Sequence, residues 1–383
     1  MTNVHIKEFV KNNTWMYKTY YYCMSFFLRL IKLFIKTDDK LILFVSYGGR
    51  YCNDSPKTLY DAMKRDERFC DYKMVWAFMR PEDFPDLDTV KIDTMRYFII
   101  ALKARCWITN VAVERGLNFK GKRTYYFHTT HTTLPKLMGY DDKSGTFTLP
   151  CGFKYDCSCA QSQKEKELQK TMFGLNDEQI IVSGYPKLDA LCHYSTKQRN
   201  DFRGKLRIGN NKIAILYAPT YRDVKFGAMR CPINFDHWQE ILGDEFVVLF
   251  RAHPVVANET KIDPNRSFVY DVSSYPDNME LMIASDILIS DYSGIFFEYA
   301  VQNKPMFCFA YDYEEYIKTR QLYFDIRKEL PGGLMTEAEL LESISRKDYK
   351  PFESMLDSFR KRYVSEYGHS TELCLNNIIQ HIS

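Results

Sequence analysis

Ile287-Leu-Ile-Ser-Asp-Tyr-Ser-Gly-Ile-Phe-Phe-Glu298 is an apolar run that stops at small and hydroxyl-bearing residues and resumes as a helical pattern. A buried parallel strand ending this way puts Ser293 and Gly294 at a helix N-terminus. Backbone N–H groups without intrahelical partners converge there and favour an anion. Glu298 follows about one turn after Gly294, placed to accept hydrogen bonds from hydroxyls beside that anion. The combination suits a nucleoside diphosphate and its ribose; taken alone, the segment also reads as an ordinary capped helix after a core strand.

Two upstream strands end in the same manner. Phe246-Val-Val-Leu-Phe-Arg-Ala-His-Pro254 closes with Arg251 and His253 two positions apart, on one face of a strand. They therefore share a crevice at the carboxyl end of the sheet, where open α/β sheets bind ligands. Ile213-Ala-Ile-Leu-Tyr-Ala-Pro-Thr-Tyr-Arg-Asp223 repeats the design, with Arg222 in the turn.

Working outward, the segments 41–46, 74–78, 90–92, 106–109 and 124–127 read as strands, and 55–65 and 94–103 as helices between them. This alternation predicts a doubly wound parallel sheet. A polar stretch near 196–212 leads to a second series beginning at Ile213. The expected fold is α/β of the glycosyltransferase-B type: two Rossmann-like domains facing a cleft, over 37–195 (acceptor side) and 196–383 (donor side, with C-terminal helices). The first series contributes Tyr125-Tyr-Phe-His-Thr-Thr-His-Thr-Thr-Leu-Pro-Lys136. A histidine at a strand's carboxyl end, facing such a cleft, can take a proton from an attacking hydroxyl near neutral pH. His131 is preferred to His128, which closes the strand and reads as structural. Lys136 could hold an anionic acceptor.

At 383 residues, 45% hydrophobic and 26% charged, the chain is globular. Its 52 Lys plus Arg against 49 Asp plus Glu give no charge that argues for nucleic acid. Eleven scattered cysteines read as reduced thiols. The Cys151, Cys157 and Cys159 group lacks a second ligand pair at zinc spacing, so no metal site is expected. Residues 1–36 form an N-terminal amphipathic segment. Lys18, Tyr22, Ser25, Arg29, Lys32 and Lys36 fall along one stripe, and Trp15, Phe26, Phe27, Leu30, Ile31, Leu33 and Phe34 cover the rest. Its charge-free run is too short to cross a bilayer. A basic stripe beside an aromatic face suits a helix lying on an anionic membrane surface.

The ensemble resembles the CDP-glycerol glycerophosphotransferases of teichoic acid and related capsule synthesis. The resemblance rests on His131, Thr133, Lys136 and Gly139 at the family's offsets, then on 183–189, 217–223, 251–254, 289–294, 323–325 and 330–332. Thr132 stands where the family has Gly, Leu134-Pro135 inverts its Pro-Leu, and Gly294 replaces a second Ser. The resemblance implies that His131 is the base, and that His253, Ser290 and Ser293 bind the CDP pyrophosphate. It implies transfer of glycerol phosphate from CDP-glycerol, with no cofactor beyond that substrate, to a lipid-linked saccharide or poly(glycerol phosphate) acceptor. Thr133 and Lys136 would lie on the acceptor side; Arg222, Arg251, Asp291, Gly294 and Glu298 would complete the donor side. The expected place is the cytoplasmic face of the cell membrane, bound peripherally. Three other readings fit parts of the pattern: a CDP-ribitol or other alditol-phosphate transferase, a nucleotide-sugar transferase or epimerase of the same architecture, and a membrane-bound scaffold of a polymer-synthesis complex.

Overall fold

The computed structural model describes residues 14–131, 134–143, 152–220, 232–252 and 267–383. Among the described residues, twelve strands fall in two parallel sheets. The first contains β1 (Asp38–Val45), β2 (Lys73–Phe78), β3 (Thr89–Lys91), β4 (Ala104–Thr109), β5 (Tyr125–His128), β6 (Cys157–Ala160) and β7 (Ile180–Val182), in the order β3-β2-β1-β4-β5-β6-β7. The second contains β8 (Ile213–Tyr217), β9 (Phe246–Phe250), β10 (Val269–Asp271), β11 (Ile287–Ser290) and β12 (Met306–Cys308), in the order β10-β9-β8-β11-β12. Every strand pairing is parallel.

The central strands are mostly apolar where they are buried, because helices cover both faces. Leu41 to Val45 of β1 are all buried, and Phe44 stacks on Trp76 of β2 with ring centroids 5.2 Å apart. Such pairs account for much of the aromatic content. In each sheet the strand order reverses once, between β1 and β4 and between β8 and β11. At such a reversal the connections leave in opposite directions and open a crevice at the strands' carboxyl ends. Tyr47 lies two residues after β1 and Asn110 directly after β4; Ala218 and Asp291 directly follow β8 and β11.

Strands expected at 41–46, 74–78, 90–92, 106–109 and 124–127 lie within two or three residues of β1 to β5. Cys157 and Cys159, two of the three grouped cysteines, lie in the buried strand β6, and Cys151 lies outside the described residues. Helix α1 (Thr14–Phe34) precedes β1, α2 (Asp54–Met63) follows it, and α3 (Met95–Lys103) precedes β4. The last helix, Ser370–Ile382, was grouped by sequence with the second half. It packs on the first: Tyr125 donates to Asn377 at 2.6 Å, and its ring stacks on His381 at 4.5 Å. One buried apolar cluster joins Ile42 and Phe44 of the first sheet, Leu216 and Leu249 of the second, and Phe359 and Ile378 of the C-terminal helices.

The polar stripe of α1 does not simply face outward. Ser25 is buried and its Oγ accepts from the Asn118 N–H at 3.0 Å. Arg29 Nε donates to the Asn118 carbonyl at 2.8 Å, and Lys32 Nζ donates to the Leu102 carbonyl and Thr37 Oγ1, both at 2.8 Å. The physical reason is local. The end of α3 and the 114–118 loop leave carbonyls without helical or ladder partners, and these two cations satisfy them. Burial and nearby Arg123 lower the Lys32 pKa. Leu28 is fully buried on the same side, so the face left in solvent is the aromatic one: Trp15 is 75%, Phe26 69%, Leu33 77% and Phe34 85% exposed. Among the described residues no helix is long and apolar enough to cross a membrane.

Candidate active site

At the carboxyl end of the first sheet, His131 is half-buried and its Nδ1 lies 2.9 Å from the Asn110 carbonyl oxygen. A carbonyl only accepts, so Nδ1 carries the proton and the neutral ring has its lone pair on Nε2. Tyr47 meets the ring edge-on at 5.7 Å, and its backbone N–H donates to Asn110 Oδ1 at 2.8 Å. Asn110 therefore serves the site twice, once through its backbone and once through its side chain. His128, three residues earlier, is different. Its ring lies flat on Tyr155 at 3.9 Å, with Nδ1 3.3 Å from Ser158 Oγ. Burial, with a smaller effect of nearby His131, depresses its pKa to about 3. It is a neutral core residue at any ordinary pH.

The segment after His131 is tied to the second half of the chain. Lys136 forms an isolated antiparallel bridge with Leu322, and the Leu137 N–H donates to the Gln321 carbonyl at 3.0 Å. Tyr323 adds a bond from its N–H to the Pro135 carbonyl at 2.9 Å and one from its hydroxyl to Asp141 Oδ2 at 2.7 Å. Gly139 has φ +58, and a Cβ there would lie 2.0 Å from the Met172 carbonyl oxygen, so this turn admits only glycine. Thr133 lies outside the described residues.

At the carboxyl end of the second sheet, side chains shape the backbone. Ser290 Oγ donates to the Ala218 carbonyl at 2.6 Å. Asp291 Oδ1 accepts from the Thr220 N–H at 2.8 Å and the Tyr292 N–H at 2.6 Å. Both side chains are buried, so they lock the β8 and β11 turns together. Ser293 and Gly294 stay partly exposed at the start of α4 (Ile295–Tyr299), with Ser293 Oγ accepting from the Ile295 N–H at 3.2 Å. Arg251 points one guanidinium nitrogen at the carbonyls of Val272 and Tyr275, at 3.1 and 2.8 Å. Burial lowers its pKa, against a smaller opposing effect of Asp277. Arg222 and His253 lie outside the described residues.

Glu298, expected beside a ribose, is buried, and its Oε1 accepts from Lys187 Nζ at 2.8 Å. The same ammonium donates to Asp54 Oδ2 at 2.8 Å, and Asp54 Oδ2 accepts from the Tyr47 hydroxyl at 2.8 Å. Burial would lower the Lys187 pKa, but Asp54 and Glu298 overcome it and the pKa is raised. Burial would likewise raise that of Asp54, yet Lys187 holds it below the usual carboxylate range. Lys187 and Asp54 were not singled out from sequence. Lys187 sits within the 183–189 motif, but nothing local marks a lysine in a turn as buried.

Against known proteins, residues 26–380 match the family described as CDP-Glycerol:Poly(glycerophosphate) glycerophosphotransferase. The chain belongs to this family. A teichoic acid glycerol-phosphate transferase of Staphylococcus aureus is 31% identical over 342 residues, 83% of this chain and 86% of that protein. A teichoic acid poly(glycerol phosphate) polymerase of Staphylococcus epidermidis is 31% identical over 352 residues, 85% of this chain but 48% of the polymerase. The chain thus spans about half the length of that relative. A solved structure of the wall teichoic acid polymerase TagF superposes with a TM-score of 0.81 at 27% identity, covering 93% of each chain.

Proposed function

We infer that this chain transfers glycerol phosphate from CDP-glycerol to a hydroxyl of a membrane-associated, lipid-linked acceptor, releasing CMP, in teichoic acid or capsular polymer synthesis. The observation that carries the reading is the held tautomer of His131, whose Nδ1–H rests on the Asn110 carbonyl. Its Nε2 is thereby a proton acceptor from the outset. In the reaction the acceptor oxygen bonds to the β-phosphorus as its proton passes to Nε2. The bond from that phosphorus to CMP breaks, and CMP leaves with the electron pair. Charge on the phosphoryl oxygens would be met by the N–H groups around Ser293 and Gly294 and by Arg251, the kind of fixed electrostatic complement on which phosphoryl transfer depends. No step calls on a cofactor beyond the donor.

In this reading the two sheets act as two Rossmann-like domains facing a cleft, 37–195 for the acceptor and 196–383 for the donor. Helix α1 lies on the cytoplasmic membrane surface through its exposed aromatic and aliphatic side chains, with Lys18 and Lys36 also exposed beside anionic headgroups. The test is CMP release by purified protein from CDP-glycerol, with CDP-ribitol as a second donor, given a lipid-linked disaccharide in anionic vesicles or a short water-soluble acceptor. CMP release from CDP-glycerol with both acceptors is expected. The Phe26→Asp/Leu33→Asp variant should keep the water-soluble reaction and lose vesicle co-sedimentation. A folded parent that turns over neither acceptor would favour a scaffold, and turnover of CDP-ribitol alone would overturn the choice of donor.

A further inference from the structure

The buried trio of Asp54, Lys187 and Glu298 joins three separate parts of the chain: the N-terminus of α2, the turn after β7 and helix α4. Burying an ammonium between two carboxylates is a weak source of stability, because desolvation offsets much of the attraction and an apolar trio of similar volume would hold the segments as well. What the trio supplies is position. Asp54 takes the Tyr47 hydroxyl, the Tyr47 N–H is held by the Asn110 side chain, and the Asn110 carbonyl takes the His131 Nδ1–H. Tyr47 and Asp54 both sit at positive φ, 45° and 64°. Residues with side chains keep that conformation where surrounding contacts impose it.

We propose that Lys187 is a positioning residue for the transfer reaction, fixing Tyr47 against His131 through Asp54 while it holds Glu298 of the donor-side helix, so that one continuous chain of contacts links the two sheet ends. The role rests on the reading of His131 as the base. Among the described residues, the titratable groups that bear on this chain of contacts are His128, which senses His131 through space, Tyr47 against the His131 ring, Tyr51 against Tyr47, and Asp54, Lys187 and Glu298 around the Tyr47 hydroxyl.

The experiment compares the full-length parent with Lys187→Met, Lys187→Arg and Tyr47→Phe. The His131 imidazole is titrated by NMR without substrate, and CMP release is measured across pH. Tyr47→Phe removes only the hydroxyl that reaches Asp54 and should lower kcat roughly tenfold, since misalignment of a reacting group is costly, while KM for CDP-glycerol stays within about threefold of the parent. Lys187→Met leaves two carboxylates without their cation and should raise the His131 pKa by about half a unit. The acid limb of the kcat/KM profile should move with it, and Lys187→Arg should recover most of both. A folded Lys187→Met variant with parental kcat and His131 titration overturns the proposal. If Lys187→Met does not fold, Tyr47→Phe decides alone, and parental kcat in it overturns the proposal. A parent that releases no CMP counts against the transferase reading. The substrate-free titration of His131 still judges the coupling in that case.

Discussion

The carboxyl ends of the two sheets are built in opposite ways. After β4 and β5, backbone holds a side chain: the Asn110 carbonyl fixes the His131 ring. After β8 and β11, side chains hold the backbone: Ser290 and Asp291 bind the Ala218 carbonyl and the Thr220 and Tyr292 N–H groups. On the proposed function, the difference follows from the chemistry asked of each end. A proton acceptor must be a side-chain atom of tunable basicity, so the protein spends backbone groups on orienting it. An anion is best met by several N–H groups at once, so there the protein spends side chains on shaping the loop.

The sharpest way to break this comparison is His131→Ala. A general base contributes on the order of a hundredfold or more to the chemical step, so CMP release should fall by at least that factor while calorimetry shows CDP-glycerol affinity within about twofold. An unchanged rate would remove His131 from the reaction. The second is Asp291→Ala, which strips the acceptor from the Thr220 and Tyr292 N–H groups. Leaving buried donors unpaired costs about 2 kcal/mol; CDP-glycerol binding should weaken by roughly thirtyfold, with the NMR titration of His131 as in the parent. A variant that binds like the parent would mean that the donor site does not depend on this turn.

The smallest effect concerns His128. Its folded pKa of about 3 lies below the ordinary 6.5. Below pH 6.5 the unfolded chain takes up a proton that the folded chain refuses, so stability falls as pH drops toward 3, by at most about 1.4 kcal/mol per pH unit. Glu114 opposes this. Burial raises its pKa from 4.5 to about 7, despite the hydrogen bond from Tyr126; its contribution is complete below 4.5 and lost as pH rises through 7. The two slopes partly cancel between pH 4.5 and 6.5. Denaturant unfolding of the parent against His128→Phe should therefore show the parent's relative stability falling as pH is lowered, and against Glu114→Gln falling as pH is raised. A pH-independent difference in the first pair would place His128 in contact with solvent.

The strands were legible because buried parallel strands announce themselves as short apolar runs, and the turns after them because Pro, Gly and hydroxyl residues interrupt those runs at predictable places. The placing of His131 and of the Ser293-Gly294 turn at the sheet ends could be read from position alone: His131 and Ser293 each lie three residues past the end of such a run. The last helix goes with the second half by its place in the chain, yet it packs on the first. Its apolar face fits either half, and only the packed chain brings Asn377 and His381 onto Tyr125. The same holds for α1, where the stripe of cations was visible. That Arg29 and Lys32 would turn inward depended on carbonyls of Asn118 and Leu102, about ninety and seventy residues away.

Sequence by itself determined the order of strands along the chain, the two series, the residue types at each strand end and the family to which they point, because these depend on local periodicity and on which atoms each side chain carries. Tertiary structure alone decided which nitrogen of His131 holds the proton, which face of α1 meets solvent, and that Lys187 is buried between Asp54 and Glu298. Each of these turns on a partner distant in sequence. A side chain's ionisation, tautomer and exposure are set by what packs against it, and no local pattern encodes that.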